Sequence, residues 1–332
     1  MRHGIVLSSR VRLARNYEDL PFDAARHETA AVCVTRTVNA LTSARMNKGF
    51  DLLRLREMTD VSRQALAESR LISRDLLRTP ETAAVLVRAD DAVTIMMNED
   101  DHLRIQAIRP ELDLSAAAQA CFQVEDGLSR QTQFAYDEQL GYLTACPTNT
   151  GTGMRASLLM HLPMLTKGKQ MGNVGQLVAK VGLNIRGVYG EGSEALGNIY
   201  QISNQVTLGR TEQELISAVT AVGIQLCDME QALRDKGLSD GRAALEDVVF
   251  RAWGVLTNAR IMPLNEFYQH WSGVRLGAAM GILKIKLQLV DALLDQVQDA
   301  HLCVYAGESL SGQALDECRA TRIRELLSIR RA

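Results

Sequence analysis

The stretch "VLSSRVRLARN", residues 6–16, decides how the rest of the chain is read. Arg10, Arg12 and Arg15 sit among Val6, Leu7, Val11 and Leu13, in the pattern of a strand entering a core. Period-two alternation puts Arg10 and Arg12 on one side of that strand. A strand with one wet face accounts for this segment taken alone. The alternative is an anion site, because two guanidinium groups fixed on a rigid strand hold phosphate oxygens in defined geometry. Arginines elsewhere must decide between the two.

The chain has 332 residues, 46% of them hydrophobic, enough to bury a core in one large domain or two ordinary ones. Its 37 basic and 39 acidic residues nearly cancel, leaving a formal net charge of -2. No bulk field marks a nucleic-acid or membrane partner, so any charge-based function must be local. Six cysteines, without a CxxC pair or zinc-like spacing, predict free thiols in a reducing cytoplasm. No leader and no apolar run of bilayer length is visible, which argues against secretion and membrane insertion.

Residues 5 to about 205 alternate β-rich runs with helical stretches. "AAVLVRADDAVTIMMNED" reads as two strands joined at Ala89-Asp90-Asp91, with "LRIQAIR" as a third, and such short connections favour antiparallel pairing. "DLSAAAQACFQVEDGLSR" reads as a helix with Leu114, Ala118, Cys121, Phe122 and Val124 or Leu128 inward. In "TEQELISAVTAVGIQLCDMEQALRDKG", Thr211 and Glu214 form a capping box, Leu215, Val219, Val222, Leu226, Met229 and Leu233 make the apolar stripe, and Gly237 ends the helix. Beyond it strand signals fade. A soft boundary near 235 therefore precedes a helical second domain.

Three further stretches carry charge or chemistry. "NEDDHLRIQ", residues 98–106, sets Glu99, Asp100 and Asp101 beside His102 and Arg104, where a carboxylate can hold and deprotonate a cationic nucleophile. "CPTNTGTGMRAS", residues 146–157, places Cys146 before a Gly- and Thr-rich loop that can offer backbone N–H groups to an anion, followed by Arg155. "NIRGVYGEGSEALGNIYQISNQ", residues 184–205, brings Arg186 into a glycine-rich loop around Tyr189 and Glu191. Arg10, Arg12, Arg104, Arg155 and Arg186 on one patch would repel each other without an anion, and a triphosphate supplies the missing charge. That is the demand of phosphoryl transfer, where catalysis is mostly positioning and charge neutralisation. No Walker A or protein-kinase motif set is present.

In this order, "SSRVRLARN", "NEDDHLRIQ", "CPTNTGTGMRAS" and "RGVYGEGSEA" resemble the motifs of the phosphagen (guanidino) kinases, the ATP:guanido phosphotransferase family, over residues 5 to about 235. Within it the chain looks most like the bacterial protein-arginine kinases. "YGEGSEA", "ISNQVTLGRTEQELI", the helical tail with "VLTNARIMPLNEF" and the lack of the large N-terminal helical domain of the small-molecule enzymes carry that likeness. The resemblance implies an α+β fold, an antiparallel sheet flanked by helices, with a catalytic domain at 1–235 and a smaller all-helical dimerisation or regulatory domain at 236–332. It implies phosphorylation of protein arginine by ATP, with Mg²⁺ held mainly by nucleotide and water and no protein metal cage. It also implies a homodimer that marks proteins for quality-control degradation, with an activator protein and a Clp-type chaperone-protease as partners.

Carried over by position, the nucleotide-binding residues are Ser8, Ser9, Arg10, Val11 and Arg12; Arg104; Arg155, Ala156, Ser157, Leu158 and Leu159; and Arg186, Gly187, Val188, Tyr189, Gly190 and Glu191. Asp100 matches the catalytic carboxylate, Glu191 the glutamate that grips the guanidinium, and Cys146 the reactive cysteine beside it. Three positions depart from the pattern. Asp100 is one methylene shorter than the family's usual glutamate, about 1.5 Å less reach, which costs on the order of 100-fold in rate unless the backbone compensates. Arg70 stands where a nucleotide-contacting histidine is usual. In "LDECRA", Leu315 replaces the arginine of the phosphoarginine-sensing motif, which leaves Asp316 and Arg319 as the regulatory candidates. Two other readings compete: a guanidinium-modifying hydrolase using Cys146, His102 and Glu191, and a weakened kinase fold acting as an adaptor or phosphoarginine binder.

Overall fold

The computed structural model describes residues 4–22, 27–88, 93–189 and 195–328. Its frame, among those residues, is an eight-stranded antiparallel sheet. The strands are β1 (Val6–Arg15), β2 (Phe50–Arg54), β3 (Ala84–Arg88), β4 (Val93–Met97), β5 (Leu103–Pro110), β8 (Met154–His161), β9 (Leu183–Tyr189) and β10 (Ala195–Asn204). They lie in the order β2-β3-β4-β5-β1-β8-β10-β9, and β6 (Tyr136–Asp137) with β7 (Gly141–Tyr142) forms a separate small hairpin. The strand from the opening stretch is thus central, paired with β5 on one side and β8 on the other. The connection expected at Ala89-Asp90-Asp91 lies outside the described residues, and the strands it joins pair antiparallel as the short link requires.

Alternation along β1 gives the sheet its two characters. Val11 and Leu13 are fully buried with Ile105, Ala107, Ala156, Leu158 and Ile202 on one face. That face is covered by α1 (His27–Ser43), α3 (Leu114–Ser129), α4 (Pro163–Lys167), α5 (Met171–Lys180) and α6 (Glu212–Asp240). On α3 the inward stripe holds, with Leu114, Ala118, Cys121, Val124 and Leu128 buried and Phe122 half-buried at its edge. The capping box of α6 is present, Thr211 accepting from Glu214 N and Glu214 from Thr211 N. That helix does not stop at Gly237 but runs on to Asp240. A Cβ at Gly237 would lie 3.1 Å from Met164, so this glycine permits close packing within the helix rather than ending it.

The opposite face is apolar only at its two ends. Toward one, Val85, Val87 and Met96 pack on Leu55, Ile72 and Leu76, in the segment around α2 (Asp60–Glu68). Toward the other, Leu159 and Ile199 pack on Phe267 and Trp271. These last belong to α8 (Leu264–Ala279), one of five helices after Gly241 with α7 (Arg242–Asn258), α9 (Leu287–Gln296), α10 (Asp299–Ala306) and α11 (Gly312–Ser328). The strip between the apolar ends carries the arginines.

A buried polar junction joins α8 to the sheet. Arg275 donates to Asp291 at 2.7 Å and to Gly4 O at 2.6 Å, and its Nη1 lies 3.3 Å from His161 Nδ1. His161 Nε2 in turn lies 2.8 Å from Ser272 Oγ. Burial, then the charges of Arg275 and Arg234, hold the His161 pKa well below its ordinary value, so the folded protein keeps a neutral imidazole. The unfolded chain binds a proton there below about pH 6.5 and the folded chain does not. Stability therefore rises with pH through that window and falls on acidification, by up to about 1.4 kcal/mol per pH unit. Urea titrations from about pH 5 to about pH 8 are expected to show this slope. It should shrink in His161→Gln, and an unchanged slope would exclude His161 as its source.

Candidate functional site

Pairing registers put the arginines of four strands on one face. Arg12 lies opposite Arg155 of β8 and Gln106 of β5, Arg10 opposite Ser157, and Ala14 opposite Arg104. Gln201 of β10 lies opposite Leu159 of β8 and Arg186 of β9. Directly opposed residues share a sheet face, so Arg10, Arg12, Arg104, Arg155 and Arg186 share this one. Their charges perturb one another. Arg10 is pushed down to about 10, by burial first and then by Arg70, Arg186, Arg155 and Arg104. Arg12 is held well below the usual range by burial, Arg10, Arg104 and Arg155, and Arg155 is lowered by burial, Arg186 and Arg104.

Polar neighbours orient the cluster without neutralising it. Arg10 Nη2 donates to Gln201 Oε1 at 3.2 Å, and Arg155 Nη2 to Ser203 Oγ at 3.2 Å. The enclosed Arg155 Nε and Gln201 Nε2 have no hydrogen-bond partner among the described residues. A buried donor left this way costs about 1–3 kcal/mol, which an oxyanion on this face would recover. Arg104 is the exception, donating from Nη1 to Glu99 Oε1 at 2.6 Å with Nη2 3.5 Å from Asp100 Oδ2. Glu99 is enclosed and also accepts from Ser73 Oγ at 2.5 Å. Burial raises its pKa against the pull of Arg104.

The acidic turn divides its residues among separate tasks. Asn98, with φ 63, reverses the chain and donates to Thr82 O at 2.9 Å. Asp100 is exposed at the rim of the arginine face. Asp101 is buried, and its Oδ1 accepts from Asn16 Nδ2 and from Ala145 N, both at 2.7 Å. That second bond ties the turn to the loop of Cys146. The cysteine is half-buried, its Sγ 3.0 Å from Thr148 Oγ1. His102 is buried: Tyr17 N donates to its Nδ1 at 3.1 Å, and its Nε2 lies 2.9 Å from Pro21 O. Burial lowers its pKa, and with both nitrogens in use it has no role as a base for Cys146, which removes the hydrolase reading.

Strand alternation separates the remaining candidates. Ser8, Ser157 and Leu159 share the arginine face with Arg10, Arg70, Gln201 and Val188. Val11, Ala156 and Leu158 point into the core. Ser9 also turns away, donating to Glu111 O at 2.8 Å and accepting from Asp113 N at 2.8 Å. Gly187 pairs with Tyr200 and Tyr189 with Ala195, while Gly190 and Glu191 lie outside the described residues. Arg15, the third arginine of the opening stretch, is fully buried on Glu125 at 2.5 Å and over the Tyr142 ring at 3.4 Å. Arg319 is buried too, bonded to Val297 O at 3.0 Å, Met262 O at 2.8 Å, and Asp316 and Asp299 at 2.5 Å. A phosphate would have to displace those partners, so the packing of Asp316 and Arg319 supports a structural role.

Among the described residues no three His, Cys, Asp or Glu side chains converge to hold a metal. The donor set of the face is cationic and suits an anion. A divalent cation fits here only as part of a nucleotide complex, ligated by phosphate oxygens and water near the carboxylates of Glu99 and Asp100. The residues that sequence reasoning missed are the partners. Gln201 and Ser203 were legible as the polar phase of "YQISN", whereas nothing local marks Ser73.

An arginine-bearing face of an antiparallel sheet, with an acidic turn and a cysteine loop tied to its rim, fits a phosphoryl-transfer class of protein. The ATP:guanido phosphotransferase C-terminal catalytic domain matches residues 33–233, and the protein-arginine kinase McsB C-terminal domain matches residues 242–332. The chain belongs to the ATP:guanido phosphotransferase family. A protein-arginine kinase of Moorella thermoacetica is 44% identical over 329 residues, spanning 98% of this chain and 94% of that relative. One from Bacillus cereus is 40% identical over 333 residues, spanning 98% and 93%. Among solved structures, the duplicated taurocyamine kinase of Schistosoma mansoni with transition state analog components aligns with TM-score 0.63 at 25% identity, covering 74% of this chain and 37% of that one. Lombricine kinase shares the fold, with TM-score 0.61, 24% identity and coverage of 71% and 69%.

Arg155→Ala removes one charged contact, worth roughly 1.5–3 kcal/mol. Calorimetric titration with MgATP is expected to show binding weakened roughly 10- to 150-fold. Unchanged affinity would take Arg155 out of the anion site.

Proposed function

We propose that this chain transfers the γ-phosphoryl group of ATP to the guanidinium of arginine side chains in proteins. The observation that carries the reading is the single sheet face on which five arginines from four strands meet beside an acidic turn. Family membership and the names of the full-length relatives support the same reaction. Arg10, Arg12, Arg155 and Arg186 bind the phosphates, and the remaining side chains of the face set their orientation. Arg104, shared with Glu99, contacts the anion at the rim. Ser9, Val11, Ala156 and Leu158 contribute through the position of their strands.

Asp100, with Glu191 by resemblance, holds the guanidinium of the substrate. One nitrogen of that group attacks the γ-phosphorus, an N–P bond forms as the bond to the bridging oxygen breaks, and ADP leaves. The proton lost by the nitrogen passes to the carboxylate side, which matters because guanidinium hardly ionises in water. Cys146 stands beside that nitrogen. Mg²⁺ would be held mainly by nucleotide oxygens and water, where it would supply charge screening. A cytoplasmic homodimer that marks proteins for quality control, served by an activator and a Clp-type chaperone-protease, is the wider setting implied by the family resemblance, and six free thiols agree with that compartment.

The test is transfer of label from γ-labelled ATP to an arginine-containing protein. An acid-labile adduct on arginine is expected; an acid-stable adduct would sink the reading in favour of a hydroxyl acceptor, and none at all in favour of an adaptor. Asp100→Asn should lower turnover roughly 100-fold or more with little change in ATP affinity. If turnover survives, Asp100 is not the catalytic carboxylate. Alkylation of Cys146 should slow when MgADP and an arginine peptide are present together, and lack of protection would place the thiol outside the site.

A further inference from the structure

Arg70 belongs to the arginine face and meets a charge from the C-terminal helices. It follows α2 in the left-handed conformation, with φ 60, and its carbonyl accepts from Gln106 Nε2 of β5 at 2.8 Å. Its backbone is therefore pinned to the sheet. Its side chain lines the cleft with Ser8, Arg10, Ser157 and Gln201, and it is the foremost of the charges acting on Arg10. The charge facing it comes from α9, where Asp295 Oδ1 lies 3.8 Å from Arg70 Nη2. That oxygen is enclosed and has no hydrogen-bond partner among the described residues. The contact is thus one of charge at a distance, not a closed hydrogen bond.

Beside this pair the two parts of the chain are clamped together. Glu68, the last residue of α2, accepts from Ala300 N at 3.0 Å and His301 N at 3.1 Å, at the start of α10, and lies 2.8 Å from His301 Nδ1. Ser69 Oγ lies 3.0 Å from His301 Nε2. The clamp fixes residues 68–70 against the C-terminal helices at the point where Arg70 enters the cleft.

We propose that Asp295, from the C-terminal helices, is a positioning residue that holds the Arg70 side chain in the phosphate cleft of the kinase domain. Repulsion from Arg10 and its neighbours pushes that side chain away from the cleft, and nucleotide would have to offset that push. Asp295 opposes the repulsion in advance, and a ligand meets a side chain already in place. Removing the carboxylate has a second effect of opposite sign, because it also relieves repulsion of phosphate oxygens. Orientation dominates, since Arg70 lines the cleft and Asp295 does not. The inference rests on the proposed nucleotide site, and it gives the C-terminal helices a direct hand in the affinity of that site.

Equilibrium binding of MgATP to the full chain, without protein substrate, tests it. Asp295→Asn should weaken binding about 5- to 10-fold, Asp295→Glu should recover most of the loss, and Asp295→Asn should have no effect in an Arg70→Gln background. A merely structural role for Asp295 would act equally in both backgrounds, and that outcome overturns the proposal. Unchanged or tighter binding in Asp295→Asn also overturns it while leaving the kinase reading intact. Failure of the unsubstituted chain to bind MgATP at all would remove both.

Discussion

Repulsion among like charges is the constraint that organises this molecule. Five guanidinium groups share one sheet face, where burial and then the neighbouring charges lower the proton affinity of Arg10, Arg12 and Arg155, and a flexible scaffold would let them disperse. The antiparallel frame prevents that. Each arginine is anchored to a strand whose other face is packed in the core, so moving Arg12 away from Arg155 would require breaking the ladder between β1 and β8. Stability drawn from Val11, Leu13, Ala156 and Leu158 thus maintains an electrostatic arrangement that is unfavourable by itself. Concentrated positive charge in a partly dry cleft is what a polyphosphate binds most strongly.

The same logic explains the division of the acidic turn. Glu99 is enclosed with Arg104 and balances one charge of the cluster, while Asp101 is committed to the loop of Cys146. Asp100 alone remains exposed, within reach of an incoming cation. Three neighbouring carboxylates in sequence thereby reach three environments, because the left-handed turn at Asn98 and the pleat of the chain send successive side chains in different directions.

Much of this was legible in the sequence, and the reasons differ by residue. Arg10 and Arg12 could be assigned to one face because alternation is a local property of a strand. That Arg104, Arg155 and Arg186 join them depends on register between strands far apart in sequence, which motif order implied but spacing alone does not fix. The motif stretches also overstated the site, since alternation sends Ser9, Val11, Ala156 and Leu158 to the core. Gly237 read as a helix end, but glycine also serves tight packing, and only the approach of Met164 distinguishes the two. His102 and Arg319 read as chemical groups and are buried on hydrogen-bond partners from distant segments, which leave no trace in the local sequence.

The position of β1 has a consequence for how the protein is made. Arg10 O accepts from Ser157 Oγ across 147 positions of chain, so the central strand waits for its β8 neighbour during synthesis. At about 5–20 residues per second that is a wait of roughly seven to thirty seconds. A strand bearing Val11 and Leu13 has both edges open until β5 is made and one edge open until β8 follows, a state prone to pair with another chain. Arg10, Arg12 and Arg15 interrupt its apolar run with charge. Arg10 and Arg12, gathered on the finished sheet to meet phosphate, therefore also act as gatekeepers for the nascent chain, keeping this strand soluble until its neighbours arrive.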